Sequence, residues 1–286
     1  MSDAPPAEAP TLAALPPLRE IIRRHGLSAH KRLGQHFLLD LNLTARIARA
    51  AGDLTHGTTI EVGPGPGGLT RALLEAGAAH VVAIEKDPRC AEALADLVSA
   101  ARGRLALRLD DAATVDAAAL GAPPRRIVAN LPYNVGTHLL IGWLQRIDAF
   151  ESLTLMFQKE VALRLSAPVG GRDYGRLSVL AQYQAEVRAQ FAVPARAFTP
   201  PPKVDSMVVR LTPRRAREPI PDLAALETVT AAAFGKRRKM LRAALKPLGL
   251  DPLALLEAAG LAPTARAETI DVAGFAALAC AYATLR

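Results

Sequence analysis

The sequence predicts an α/β fold, a mostly parallel sheet of seven strands with an antiparallel edge, followed by a small all-helical domain. Three observations predict it. Between residues 58 and 165 short apolar runs alternate with helical periodicity, as in a parallel sheet covered on both faces. Two later extended runs follow each other with no helix of comparable length between them, as an antiparallel edge pair does. Beyond residue 213 the pattern is purely helical.

Taken in order, residues 1–17 contain five Pro and five Ala and no basic residue, a composition that buries no core, so a disordered tail is expected. Helical periodicity runs over 18–24. A basic segment containing Gly34 then leads into a helix near 43–51. Apolar runs at 58–62, 80–85, 105–110, 126–130 and 153–158 read as strands, interleaved with helices over 69–76, 88–101, 138–145 and 159–165. The edge pair is expected at 186–191 and 205–211. Pro213, Pro219 and Pro221, with arginines between them, read as a linker. Helices follow over 223–234, 239–245, 252–259 and 272–285. The domains expected are therefore a tail over 1–17, an α/β domain over 18–212 and a helical domain over 213–286. Trp143, Phe150 and Met156 fall at apolar positions and are expected in the core.

A chain of 286 residues, 50% hydrophobic and 22% charged, can bury a substantial core. No apolar run reaches the ~18 residues that span a bilayer, and no basic segment followed by an apolar one opens the chain, so a cytoplasmic protein without membrane association is expected. Cys90 and Cys280 stand far apart without metal-ligand spacing, which argues against a disulfide framework or a cysteine zinc site. The net charge is +8, with +5 of it in residues 203–286. Such an excess suits a polyanionic partner but does not choose between nucleic acid and an anionic surface.

The first chemical motif follows the strand at 58–62. Gly63-Pro64-Gly65-Pro66-Gly67-Gly68 forms a strand-to-helix turn whose glycines let the backbone approach a ligand closely, with unpaired N–H groups of a helix behind it. Glu85 closes the next strand, where a carboxylate can accept from both hydroxyls of a ribose. Gly63, Gly65 and Gly68 formally satisfy the GxGxxG dinucleotide fingerprint, so a nicotinamide cofactor stays open at this point. Glu61 and the proline-stiffened turn instead resemble the ExGxGxG loop of S-adenosylmethionine-dependent methyltransferases. Asp111 stands where those enzymes place a carboxylate against the adenine amino group.

Asn130-Leu131-Pro132-Tyr133, at the end of the fourth strand, is the most informative segment. The exocyclic amine of adenine is a poor nucleophile because its lone pair is delocalised into the ring. Two acceptors on its N–H groups favour a tetrahedral nitrogen. The Asn130 side-chain oxygen and the Leu131 carbonyl can be those acceptors, Pro132 fixes the backbone that aims them, and Tyr133 can stack on the base. Base stacking contributes ~1–3 kcal/mol, enough to offset much of the cost of unstacking the target.

The sequence resembles the small-subunit ribosomal RNA adenine dimethyltransferases. The likeness extends from about Lys31 to Ala283, in LGQHFL (33–38), EVGPGPGGLT (61–70), NLPYN (130–134), FQKEVALRL (157–165), YGRLSVLAQY (174–183), AFTPPPKVDS (197–206) and AFGKRRKMLRAAL (233–245). The resemblance implies a Rossmann-like class I methyltransferase domain before a small helical domain, S-adenosylmethionine as cofactor, and dimethylation of two adjacent adenosines in a hairpin near the 3′ end of the small-subunit RNA. It also implies small-subunit rRNA within an assembling pre-30S particle as partner, and a monomeric enzyme. Carried over by residue, the cofactor contacts are His36, Leu38, Gly63, Glu85, Asp111 and Asn130. His36 stands where the family usually has Asn. Phe198 is a candidate second stacking wall beside Tyr133, or else a core anchor for the proline-rich loop that follows it.

Lys236, Arg237, Arg238, Lys239, Arg242 and Lys246 place six positive charges in eleven residues, at the start of the helix expected over 239–245. Cations there oppose the helix dipole, which points to phosphate contact, shared with Lys31 and Arg32. A non-catalytic assembly or transcription factor, or a large-subunit rRNA methyltransferase, remains an alternative on the same motifs.

Overall fold

The computed structural model describes residues 11–27, 35–236 and 238–286. Its nine strands are β1 (Phe37–Leu38), β2 (Thr58–Val62), β3 (His80–Glu85), β4 (Leu105–Leu109), β5 (Arg125–Asn130), β6 (Ser152–Gln158), β7 (Ala185–Val193), β8 (Phe198–Thr199) and β9 (Ser206–Pro213). The helices are α1 (Leu18–Arg24), α2 (Leu41–Ala50), α3 (Gly68–Glu75), α4 (Pro88–Ala93), α5 (Ala95–Ala100), α6 (Gly136–Gln145), α7 (Lys159–Leu165) and α8 (Arg176–Gln184). Then come α9 (Leu223–Gly235), α10 (Leu241–Ala244), α11 (Pro252–Ala258) and α12 (Val272–Leu285). Aspartates begin several of them: Asp40, Asp87, Asp222, Asp251 and Asp271 each accept a backbone N–H from the first turn of the helix that follows.

Seven strands form one mixed, mostly parallel sheet in the order β4-β3-β2-β5-β6-β9-β7. The pairs β2–β3, β3–β4, β2–β5 and β5–β6 are parallel. β2 is buried along its whole length, as the Thr-Thr-Ile-Glu-Val run requires of a central strand covered on both faces. The chain leaves β2 towards β3 and β4, then returns to its other side with β5. That reversal makes a crevice at the carboxyl ends of β2 and β5, where α/β sheets bind ligands. The GPGPG turn follows one of these strands, and Leu131-Pro132-Tyr133 follows the other.

The chain falls into two compact units. One runs up to Lys159 and takes in Gln190–Arg210; the other joins Glu160–Ala189 to Leu211–Arg286. This division departs from the boundary expected at 213. The reason is packing: Tyr174, Val179, Leu180 and Tyr183 share a core with Leu226, Val229, Leu241, Leu255, Phe275 and Leu278. Among the described residues, no helix is long and apolar enough to cross a membrane.

Several further expectations change. Residues 11–17 are not a disordered tail. Leu12–Ala14 form a 3-10 turn, Leu15 joins the core of the first unit, and the Pro16 carbonyl accepts from the Arg71 guanidinium at 2.8 Å. The rest of the tail expectation, residues 1–10, lies outside the described residues. The helix expected over 88–101 divides at Leu94 into α4 and α5. Helix α8 lies where no helix was expected, and the pair β1–β8, antiparallel through Phe37↔Thr199 and Leu38↔Phe198, is also unforeseen.

Candidate active site

Gly63 leaves β2 at φ +70°, and its N–H donates to the Ile84 carbonyl at 2.9 Å. A Cβ on Gly63 would meet nothing within 4 Å, so the turn faces open space. Gly67 serves another purpose. At φ +88°, a Cβ there would meet the Leu94 and Leu97 methyls at 2.7 and 2.8 Å. The first glycine keeps the turn accessible, and the other lets α3 start against α5.

Glu85 ends β3 beside the turn and is buried. Its Oε2 accepts the Gly65 N–H at 3.1 Å, and its Oε1 accepts the N–H groups of Lys86 and Asp87, both at 2.8 Å. Burial raises the carboxyl's pKa, and these three donors work the other way. On the neighbouring strand Glu61 is 1% exposed and pushed up to about 8, chiefly by burial, with the Glu85 charge adding to it. Among the described residues its Oε2 has no hydrogen-bond partner. Asp111 lies past β4. Its carboxyl is held below the usual range mainly by Lys86, whose ammonium donates to it at 2.6 Å, and by the Ala113 N–H at 3.0 Å.

Across the crevice, Asn130 ends β5, and its Nδ2 donates to the His36 carbonyl at 3.3 Å. That bond assigns the carboxamide, with Nδ2 taken up by His36 and Oδ1 remaining as an acceptor. The Pro132 carbonyl accepts the N–H groups of Val135 and Gly136 at 3.2 and 3.0 Å, which seats the turn on the first residues of α6. The Tyr133 hydroxyl shares a 2.6 Å hydrogen bond with Ser206, and its ring lies 5.6 Å from that of His36 at a tilt of 30°. Burial raises the Tyr133 phenol, and the Ser206 contact opposes that shift. The His36 Nδ1–H donates to the Pro200 carbonyl at 2.8 Å.

These groups line one cavity of about 250 Å³. The structure brings into its wall His36, Leu38, Gly63, Glu85, Asp111, Asn130, Leu131, Pro132 and Tyr133, drawn from five separate stretches of sequence. Sequence reasoning missed Gln35 and Lys86, which also line it, and Ser206, whose signal was its place within AFTPPPKVDS.

Phe198 is a correction. It is 3% exposed, belongs to the hydrophobic core, and is not part of the cavity wall, because β8 pairs it with Leu38 and turns it inward. The basic run also changes place. Lys236, Arg238 and Lys239 lie after the end of α9 rather than in a helix start, and α10 begins only at Leu241. Cations suit the C-terminal end of a 13-residue helix, so the dipole argument for phosphate contact lapses. Those three residues and Arg242 are exposed. Lys31, Arg32 and Arg237 lie outside the described residues.

Residues 26–283 match the family described as ribosomal RNA adenine dimethylase. A protein of Paramagnetospirillum magneticum named ribosomal RNA small subunit methyltransferase A is 63% identical over 268 residues, covering 94% of this chain and 95% of that protein. One of the same name from Rhodospirillum rubrum is 62% identical over 265 residues, 93% of this chain and 92% of its own. Among solved structures, a dimethyladenosine transferase from Plasmodium falciparum superposes with a TM-score of 0.73 at 25% identity, covering 85% of this chain and 96% of that one. The 23S rRNA methyltransferase ErmE gives 0.63 at 27%, covering 87% and 99%. With the glycine turn, its carboxylates and the Asn130–Tyr133 turn facing one cavity, these matches show that the chain belongs to the ribosomal RNA adenine dimethylase family.

Proposed function

We propose that this chain transfers methyl groups from S-adenosylmethionine to the N6 amines of two adjacent adenosines in the 3′-terminal hairpin of small-subunit rRNA. The observation that carries the reading is the orientation of Asn130. Its amide nitrogen is occupied by the His36 carbonyl, so its oxygen is the group left to accept, next to the Leu131 carbonyl and in the same cavity as the glycine turn.

The residues present fit the cofactor. S-Adenosylmethionine brings hydroxyls, an amino group and positive charge; the site offers an open turn at Gly63 and a buried oxygen on Glu61 that has no partner among the described residues. Among the described residues Glu85 Oε2 accepts one N–H, which leaves a lone pair for a ribose hydroxyl. Asp111, kept ionised by Lys86, suits an adenine amino group, and Leu38 and His36 complete the wall. When bound, the cofactor supplies a methyl group on a sulfonium centre, a good leaving group. The chain's own contribution is to place and prepare the amine. Asn130 Oδ1 and the Leu131 carbonyl accept its two hydrogens and draw the nitrogen towards tetrahedral geometry, while the Tyr133 face holds the ring. Such positioning accounts for up to ~7–11 kcal/mol of a barrier when the attack geometry is met.

The rRNA duplex is met by charge. Lys236, Arg238, Lys239 and Arg242 are exposed cations suited to phosphates, and Lys31, Arg32 and Arg237 extend the set in sequence. The small-subunit relatives share far more of this chain's residues than the 23S rRNA methyltransferase does, which supports the small subunit as substrate. The reading includes a cytoplasmic monomer acting on an assembling particle. Its test is incubation of the protein and S-adenosylmethionine with small-subunit particles lacking the modification, followed by mass spectrometry of the RNA. Two adjacent N6,N6-dimethyladenosines are expected; no transfer, or transfer to other positions of that RNA, contradicts it.

A further inference from the structure

We infer that Ser206 is a positioning residue for methyl transfer, anchoring the far end of the Tyr133 ring on which the target base rests. The inference builds on the reading of Tyr133 as the stacking face and adds what holds that face still.

Ser206 begins β9 and is fully buried, so water does not compete for its hydroxyl. Its Oγ lies 2.6 Å from the Tyr133 Oη, a short hydroxyl pair. The corner carrying it is itself tied down. The Asp205 carbonyl accepts the Lys159 N–H at 2.9 Å, and the Asp205 carboxylate accepts the Ala195 N–H at 2.9 Å. Tyr133 by contrast sits in a turn, with the ring's far end as its only side-chain hydrogen-bonding point. A tether at that end fixes the swing about the Cα–Cβ bond, which would otherwise move the whole ring.

A second restraint comes from the same stretch of chain. Pro200, five positions after Ala195, accepts from the His36 imidazole, whose ring stands 5.6 Å from that of Tyr133. The segment from Pro200 to Ser206 therefore grips the tyrosine twice, at its hydroxyl directly and beside its ring through His36. With Phe198 turned into the core, this grip gives the TPPPKVDS block its part in the site: it orients the stacking residue and supplies none of its own. A stacking ring swung out of place moves the base's amine off the line to the methyl donor, and small misplacements of this kind cost up to ~10²-fold in rate.

The test is a double-mutant cycle with Ser206→Ala, Tyr133→Phe and the pair, reading kcat and KM on small-subunit particles and S-adenosylmethionine affinity by calorimetry. Each single variant is expected to lower kcat about tenfold with cofactor affinity little changed, and the double variant to be no worse than either, since both delete the same bond. Ser206→Thr, which keeps a hydroxyl, should restore most of the rate. Full activity in Ser206→Ala, or losses that multiply in the double variant, would overturn the inference. Should Ser206→Ala fail to fold, Tyr133→Phe removes the other half of the bond, and an unchanged kcat there overturns it equally. Tyr133→Ala separates the two claims. If it leaves turnover intact the stacking reading itself fails, whereas if it abolishes turnover while the cycle is additive only the role of Ser206 falls.

Discussion

Glu61 and Glu85 stand on neighbouring strands under the same glycine turn, and backbone donors divide their behaviour. Three N–H groups bind Glu85; among the described residues Glu61 keeps one oxygen unpartnered, and it is pushed up to about 8, chiefly by burial. A carboxyl whose pKa is higher in the folded chain contributes stability below its ordinary value near 4.5 and loses that contribution as pH rises towards 8. The ligand-free protein should therefore weaken across that window by up to a few kcal/mol more than Glu61→Gln does. Urea midpoints of the two proteins at pH 5, 6.5 and 8 check it, and parallel curves would count against the burial account. The glycines make a second contrast. Gly67→Ala should cost about 1–3 kcal/mol of stability, from a strained φ and contact with Leu94 and Leu97. Gly63→Ala meets no protein atom, so beyond its backbone strain its effect should appear as weaker S-adenosylmethionine binding. Thermal melts and cofactor titrations of both variants separate these outcomes.

At the scale of elements, the sheet was legible because its central strands are short apolar runs bounded by turn residues. Expectation and structure agree to about one residue for β2, β3, β4, β5 and β6. The misses have physical causes. α8 buries Ser178, Val179, Leu180, Ala181, Tyr183 and Gln184, so no polar stripe marks its period. β1 and β8 have two residues each, too few to show alternation. Phe198 read as a candidate stacking wall from its place in AFTPPPKVDS, and only the pairing with Leu38 shows where it points. The glycine turn, Glu85, Asp111 and Asn130–Tyr133 were legible because each ends a strand. Ser206 and the His36–Pro200 bond were not, since they join residues 73 and 164 positions apart. The connection between α9 and α10 carries a prediction of its own. Changing Lys236, Arg238 and Lys239 to Gln should weaken RNA binding and reduce the slope of log affinity against log salt by about two to three. An unaltered slope in salt titrations would remove these residues from the interface.

At the scale of the molecule, the helical unit is discontinuous in sequence. Glu160–Ala189 supplies it with Tyr174, Val179, Leu180 and Tyr183, so the C-terminal helices lack a complete core without that insertion. A fragment of residues 213–286 is expected to keep helical far-ultraviolet dichroism but to lose cooperative melting, whereas a fragment that unfolds as sharply as the whole chain would show the insertion to be dispensable. The net charge of +8 suits a partner rich in phosphate, but the proposed chemistry rests on the crevice between β2 and β5, where the glycine turn and the Asn130–Tyr133 turn line one cavity. Asn130→Ala tests that arrangement most directly, with methyl transfer to unmodified small-subunit particles and S-adenosylmethionine affinity measured on the same preparation. Turnover should fall by about 10²–10³-fold, the scale of losing one aimed polar group at a reacting centre, with a far smaller change in cofactor affinity. Unchanged turnover would contradict the account.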